Sequence, residues 1–123
     1  MSQGRTSFRL EDAKGRQPIL LLFAPSDRSP AFENQVALLE KEANLETAGV
    51  LVAWIFSEGD SYVDGEKLEP SSAEQIRSQY HIDDDTFLIV LIGRDGSERR
   101  RDDAPLQPAV ILERISDATA ARD

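Results

Sequence analysis

The segment that decides the fold reads Ile19-Leu20-Leu21-Leu22-Phe23-Ala24-Pro25-Ser26-Asp27-Arg28-Ser29-Pro30. Its first half, the apolar run from Ile19 to Ala24, is typical of a strand that helices cover on both faces. Its end favours the start of a helix, because Ser29 offers an N-cap oxygen and Pro30 suits the first helical position. We therefore predict a central strand that passes through a short loop into a helix.

The residues that follow this segment predict a helix and a second strand. Gly49 ends a series of apolar residues at helical spacing. The apolar run from Val50 to Phe56 then predicts a strand that pairs in parallel with the first, because a helical crossover joins the two. The apolar residues of the helix are Phe32, Val36, Leu39 and Ala43.

The second half of the chain alternates polar and apolar segments. The segment from Ser57 to Pro70 is polar and turn-rich, and predicts an exposed loop or a short hairpin that turns at Asp64-Gly65. The pair Ser71 and Glu74 then has capping-box spacing and predicts a second helix. The apolar run from Phe87 to Ile92 predicts a third strand. The turn Arg94-Asp95-Gly96-Ser97 then leads into a charged edge strand from Glu98 to Arg101. Pro108 is predicted to begin the last helix. The residues of this helix that we expect to face inward are Ile111, Leu112, Ile115 and Ala118.

The predicted order of elements is β-α-β-α-β-β-α, which is the order of the thioredoxin fold. We expect an α/β protein with a mixed four-stranded sheet and helices on both faces. The predicted divisions are a polar N-terminal segment over 1–17, a single domain over 18–118 and a frayed tail over 119–123.

Four stretches carry a resemblance to a known family: Leu20 to Ser26, Asn34 to Leu39, Asp64-Gly65, and Phe87 to Gly96. They resemble the domain of unknown function 4174 family over roughly Phe8 to Ile115. This family is similar to thioredoxins and also occurs as repeats in secreted animal matrix proteins such as coiled-coil domain-containing protein 80. The resemblance implies a thioredoxin-like fold with no agreed reaction.

The composition excludes several classes of function. The 123 residues carry 14 Lys and Arg against 23 Asp and Glu, a net charge of -9, which repels phosphate backbones and anionic lipid surfaces. We therefore expect no nucleic acid and no membrane as partners. The first 17 residues lack the apolar core of a signal peptide, so we expect a soluble cytoplasmic protein, or a periplasmic or secreted one if a leader was removed.

The loop after the first strand lacks the chemistry that thioredoxins carry there. Ser26 and Ser29 have the spacing of a C-x-x-C pair, but the chain contains no cysteine, and a hydroxyl does not form the attacking thiolate. The segment 83–86 stands where thioredoxins place a cis-proline. We predict neither a thiol-disulfide oxidoreductase nor a peroxidase that uses cysteine, and we assign no catalytic residue.

The candidate ligand-binding residues are Ser26, Asp27, Arg28 and Ser29. Free N–H groups at the helix start, with Arg28 beside them, would favour a small anion, although Asp27 opposes it. A second alternative is an enzyme that uses Asp27 near His81 for acid-base work. The plainer interpretation is that Ser26 belongs to the loop and Ser29 caps the helix.

The acidic residues of the chain do not predict a metal site or a cofactor. Asp60, Asp64 and Gly65 fit positions of a calcium loop, but Ser71 stands where a bidentate glutamate is needed. The lone histidine, His81, rules out a multi-histidine site. We expect these carboxylates, like Asp83 to Asp85, to be solvated loop residues.

By elimination, the leading hypothesis is a non-catalytic protein-interaction module that contacts an unknown protein partner through the loop Ala24 to Ser29 or an exposed sheet edge. Small-anion binding and carboxylate acid-base catalysis at the start of the first helix are the alternatives. We expect a monomer or a weak homodimer. A third hypothesis is a self-associating structural unit, because the charged fourth strand could pair edge to edge if its charges were neutralised.

Overall fold

The structure is a computed structural model that describes residues 5–6, 8–40 and 49–113. The strands are β1 (Arg5–Thr6), β2 (Ile19–Ala24), β3 (Leu51–Phe56), β4 (Tyr62–Val63), β5 (Glu66–Leu68), β6 (Leu88–Ile92) and β7 (Glu98–Asp102). The helices are α1 (Leu10–Ala13), α2 (Pro30–Glu40), α3 (Pro70–Tyr80) and the described turns of α4 (108–113). The predicted order is confirmed, since β2, α2, β3, α3, β6, β7 and α4 follow one another as β-α-β-α-β-β-α.

The strands form one mixed sheet in the order β1-β5-β4-β3-β2-β6-β7. β2 lies at its centre, parallel to β3 and antiparallel to β6. The predicted parallel pairing is therefore confirmed, with Ile19 opposite Leu51 and Ala24 opposite Phe56.

Over the described residues, the sheet has seven strands, whereas the sequence predicted four. The additional strands are the β4–β5 hairpin, which turns at Asp64-Gly65, and β1, which pairs in parallel with β5. These strands are only two or three residues long. The sequence indicated an exposed loop with room for a short hairpin at Asp64-Gly65, and the β4–β5 hairpin turns there. Strands this short show no period-2 pattern, so the sequence did not give their bounds and did not indicate β1.

All six residues of β2 are buried, because helices cover both faces of the sheet. Leu21 and Phe23 face a core shared with α1 and α3. Leu20 and Leu22 face a second core, which includes Phe32 of α2 and Ile111 of α4. The continuous apolar run thus supplies side chains to two cores, as a strand covered on both sides must.

The segment before Pro18 contributes to the fold. Leu10 and Ala13 of α1 are buried in the same core as Leu21. The predicted segment 1–17 therefore contains part of the core as well as polar residues. The predicted inward positions Ala43, Ile115 and Ala118 and the tail 119–123 lie outside the described residues.

The predicted capping box at Ser71 and Glu74 is wrong. Helix α3 begins at Pro70, with Glu69 as its N-cap, and no side chain caps it. Proline suits the first helical position, so the helix starts two residues earlier than a Ser71 N-cap would place it. No described helix is both long enough and apolar enough to cross a membrane.

Candidate functional site

Three loops meet at the edge of the sheet where β2 ends. β2 and β3 are parallel, so the loops that follow them leave the sheet at the same edge. β6 runs in the opposite direction, so the segment that enters β6 lies at this edge as well. We call the surface formed by residues 25–29, 57–60 and 81–87 the loop corner.

The loop after β2 is held by its own backbone. The N–H of Ser29 donates to the carbonyl oxygen of Ser26 over 3.2 Å, and the N–H of Arg28 donates to the Ser26 hydroxyl over 3.2 Å. The carbonyl oxygen of Ser29 accepts the N–H of Glu33 over 2.9 Å, the first bond of α2. Ser26 therefore starts a turn and Ser29 opens the helix, which are the plainer roles of these two serines.

Ser57 contacts the other two loops through its hydroxyl. The sequence did not identify this residue as part of the site. Its hydroxyl oxygen lies 3.1 Å from the carbonyl oxygen of Pro25 and 2.6 Å from that of Asp84. The N–H of Glu58 also donates to Pro25 over 2.9 Å. The only signal in the sequence is the position of Ser57, directly after an apolar strand. Its two partners are 32 and 27 positions away, so only the tertiary structure shows the contact.

Arg77 of α3 holds the segment that enters β6. Its guanidinium forms an ion pair with Asp84 and lies 3.4 Å from the carbonyl oxygen of Ile82. His81 ends α3 in the left-handed conformation, with φ of 54°, and its N–H donates to the last turn of the helix. The segment thereby turns back toward Ser57.

The loop corner is mostly acidic. The side chains of Asp27, Asp83 and Asp85 are exposed there, as is that of Glu58 on the loop after β3. Arg28 is exposed beside them, whereas Arg77 is already paired with Asp84. An anion bound at the start of α2 would meet this negative charge, which counts against the anion-binding alternative.

The structure does not join the residues of the acid-base alternative. Asp27 and His81 are both exposed, and no hydrogen bond or ion pair links them within the described residues. Asp27 therefore has no described partner that would orient it as a general base.

Two acidic residues of the predicted loop 57–70, Asp60 and Asp64, have structural partners. Asp60 pairs with Lys67 over 3.4 Å, and the carboxylate of Asp64 accepts the N–H of Val52 over 2.9 Å. Within residues 5–6, 8–40 and 49–113, no group of three or more His, Asp or Glu side chains lies close enough to hold a metal ion.

The comparisons with known proteins agree with this architecture. The crystal structure of the reduced 2-Cys peroxiredoxin of Plasmodium vivax matches with a TM-score of 0.64 and 18% identity, covering 92% of this chain and 83% of that chain. This likeness confirms the thioredoxin-like fold. A comparison with curated proteins finds no match. The family model described as Domain of unknown function (DUF4174) matches residues 9–123, so the chain belongs to this family, as the resemblance predicted.

Proposed function

We propose that this chain is a non-catalytic protein-binding module, and that the loop corner contacts the partner. The peroxiredoxin-like fold is present without a single cysteine, so the thiolate that gives such a scaffold its redox chemistry cannot form. The positions with C-x-x-C spacing carry Ser26 and Ser29, which serve as turn and helix start. These observations support a scaffold that serves binding through its surface and not through redox chemistry.

The observation that carries the proposal is the Ser57 link between the three loops. A surface whose loops are already connected loses little conformational freedom on binding, and preorganised surfaces bind more tightly for that reason. Ser57 lies between the Pro25 and Asp84 carbonyl groups, and Arg77 holds the same segment from α3. Loops on a rigid scaffold are also where proteins most often place their binding residues.

The charge of the loop corner supports a partner with a basic contact surface. Exposed carboxylates on all three loops attract Lys and Arg side chains, and such complementarity mainly accelerates association and selects the partner. Binding should therefore weaken as salt concentration rises, because exposed charges are screened.

The test is site-specific photo-crosslinking in cells of the source organism. A photoreactive residue is introduced at Arg28, in the loop corner, or at Arg94, an exposed arginine in the β6–β7 turn at the opposite end of the sheet. We expect a discrete protein adduct from position 28 and none from position 94. An absence of adducts at 28, or the same adducts from both positions, would contradict the proposal.

A second variant tests whether the Ser57 link matters. Ser57→Ala removes the hydroxyl that lies between two carbonyl groups and leaves the charge of the corner unchanged. We expect a weaker adduct from position 28 while the thermal midpoint falls by only a few degrees, the shift of about 1 kcal/mol in a domain of this size. An undiminished adduct would mean that the link does not organise the surface.

A further inference from the structure

A pocket of about 250 Å³ lies near the end of the sheet opposite the loop corner. Its floor is Ile92, the last residue of β6, which pairs with Ile19 at the start of β2. The residues that line it are Lys14, Gln79, Tyr80, Ile92, Gly96 and Glu98. The pocket is thus formed between the end of α1, the last turn of α3 and the β6–β7 turn.

One wall of the pocket depends on a close approach of two backbone segments. Gly96 has φ of 90°, and a Cβ atom added to it would lie 3.4 Å from the backbone nitrogen of Gly15 and 3.5 Å from the Cβ of Lys14. The positive φ is what favours glycine at 96, since the added Cβ would make only ordinary contacts with the end of α1, which lies beside the β6–β7 turn. This proximity places the backbone of Lys14 at the rim of the pocket, which Lys14 helps to line.

Tyr80 forms another wall and is held in place on two sides. Its ring lies 5.6 Å from the ring of Phe23, and the guanidinium of Arg101 lies 5.6 Å from its centroid. Its hydroxyl makes no hydrogen bond with any described residue. Burial first, and the negative charge of Glu98 second, raise the pKa of Tyr80 above its usual value, so the hydroxyl remains a hydrogen-bond donor at neutral pH.

The charges around the pocket leave one cation without a close partner. Glu98 is paired with Arg101 through two bonds of 2.8 and 3.0 Å, and the Gln79 amide donates to Glu11 over 3.1 Å. Lys14 makes no ion pair within the described part of the chain and acts on Glu11 only at longer range. In a chain of net charge -9, this pocket therefore offers an uncompensated ammonium group.

We propose that this pocket binds a small organic carboxylate. The carboxylate group pairs with Lys14 and accepts a hydrogen bond from the Tyr80 hydroxyl, while the remainder of a short molecule occupies the pocket beside Ile92. A single cation beside a neutral donor suits a monoanion, and the volume admits a short aliphatic chain. The site is separate from the loop corner and does not depend on the proposed function.

The probe is isovalerate, with isovaleramide as a neutral compound of the same shape. Each is titrated into the full chain at millimolar concentrations, and ¹H–¹⁵N spectra are recorded. We expect saturable shifts of the amides of Lys14, Tyr80 and Gly96 with isovalerate, smaller shifts with the amide, and no shift at Arg28. Absent shifts, equal shifts with both compounds, or shifts centred on Arg28 would overturn the proposal.

Two variants and a matched control assign the contacts. Lys14→Gln should weaken isovalerate binding about fivefold, the effect of losing one partly exposed charge pair. Tyr80→Phe, which keeps the ring, should weaken it by a similar factor through loss of the hydroxyl. Arg94→Gln makes the same charge change as Lys14→Gln on the neighbouring turn and should leave the affinity unchanged. Equal weakening by the Lys14 and Arg94 variants would show that only net charge matters and would overturn the site.

Discussion

Gln35 connects two elements that are far apart in the sequence. It is fully buried in α2, and its amide donates to the carbonyl oxygen of Leu106 over 2.9 Å and accepts the Leu106 N–H over 2.6 Å. The side chain thereby satisfies both backbone groups of a buried residue just before α4. An unpaired buried backbone group is costly, so this amide holds the segment in place.

Replacing Gln35 should therefore be severe. Gln35→Leu leaves two buried groups of Leu106 without partners, and we expect the free energy of unfolding to fall by about 2–5 kcal/mol. Gln75→Leu is the matched control, because Gln75 is exposed on α3, and it should change stability by less than about 0.5 kcal/mol. Urea unfolding of both variants measures the difference. Comparable losses would mean that the paired hydrogen bonds contribute little.

Asp64 closes the β4–β5 hairpin onto the central part of the sheet. Its N–H donates to the Val52 carbonyl oxygen over 2.8 Å, and its carboxylate accepts the Val52 N–H over 2.9 Å. The residue has φ of 50°, a conformation that Asp and Asn tolerate better than most residues. The carboxylate thus serves a backbone partner, as a turn residue would.

Three substitutions at Asp64 should separate these two roles. Asp64→Asn keeps the acceptor and tolerates the conformation, so we expect little change. Asp64→Gly loses only the hydrogen-bond acceptor, so we expect the free energy of unfolding to fall by about 1 kcal/mol. Asp64→Ala loses the acceptor as well and adds backbone strain at the positive φ, which should lower it by about 1–2 kcal/mol more. Urea unfolding ranks the variants. Equal losses of stability for the glycine and alanine variants would contradict the proposed backbone strain. A higher melting temperature of the unaltered chain with added calcium would instead indicate a metal-binding role for Asp64.

At the scale of elements, β7 combines exposure at the edge of the sheet with paired charges. Arg99 pairs with Asp95, Arg100 with Asp102 and Arg101 with Glu98, each at 2.8 Å. A register shift between Leu91 and Ile92 marks a bulge in its pairing with β6. Charges and bulges are the usual protection of an edge strand.

The ion pair between Asp102 and Arg100 should make the folding stability depend on pH in the acidic range. The hydrogen bond from Arg100 lowers the pKa of Asp102 in the folded state. The ionised Asp102 therefore adds to the free energy of unfolding in full above the usual carboxyl pKa of about 4. This addition is lost as the pH falls through the lower pKa of the folded state. Asp102→Asn should lower stability at pH 7 and reduce the further loss below pH 4. Asp103→Asn, at the exposed neighbouring position, is the control. Urea midpoints at pH 7 and pH 3 give the comparison, and an unchanged acid-induced loss in Asp102→Asn would contradict the assignment.

The same strand should resist pairing with a second copy. In an antiparallel pair of β7 strands centred on Arg100, Arg99 would face Arg101 of the other copy, and like charges directly opposite are destabilising. We expect a monomer by light scattering at high concentration. Arg99→Thr combined with Arg101→Thr removes two of the three opposed arginine pairs, leaving Arg100 opposite Arg100, and should associate more than the unaltered chain. A dimer of the unaltered chain, or a strictly monomeric double variant, would contradict this account.

At the scale of the whole molecule, the fold brings together two serines, Ser26 and Ser29, that have the spacing of a C-x-x-C pair. The turn that joins Ser29 to Ser26 brings the ends of a four-residue segment to within about 7 Å between Cα atoms, and disulfides span about 4.4–6.8 Å. The parallel β2–β3 pair and the α2 start set this distance. Reintroducing sulfur should therefore restore a pair of thiols that can react with each other.

Ser26→Cys combined with Ser29→Cys should form an intramolecular disulfide in oxidised glutathione. A control pair, Ser26→Cys with Ser97→Cys, places the thiols at opposite ends of the sheet and should keep both free. Thiol titration and intact mass distinguish the two states. Free thiols at 26 and 29 under these conditions would contradict the retained geometry.

Sequence and tertiary structure determine different parts of this molecule. The apolar runs at 19–24, 51–56 and 88–92 predicted the central strands, since a strand covered on both faces needs an apolar side chain at every position. The absence of cysteine excluded thiol chemistry directly. The pairing of β1 with β5, the Gln35 hydrogen bonds to Leu106, the Ser57 link and the Lys14 pocket were decided only by the tertiary structure. Each of these features depends on residues that are distant in the sequence, such as Gln35 and Leu106, which are 71 positions apart. Local sequence patterns do not predict such long-range contacts.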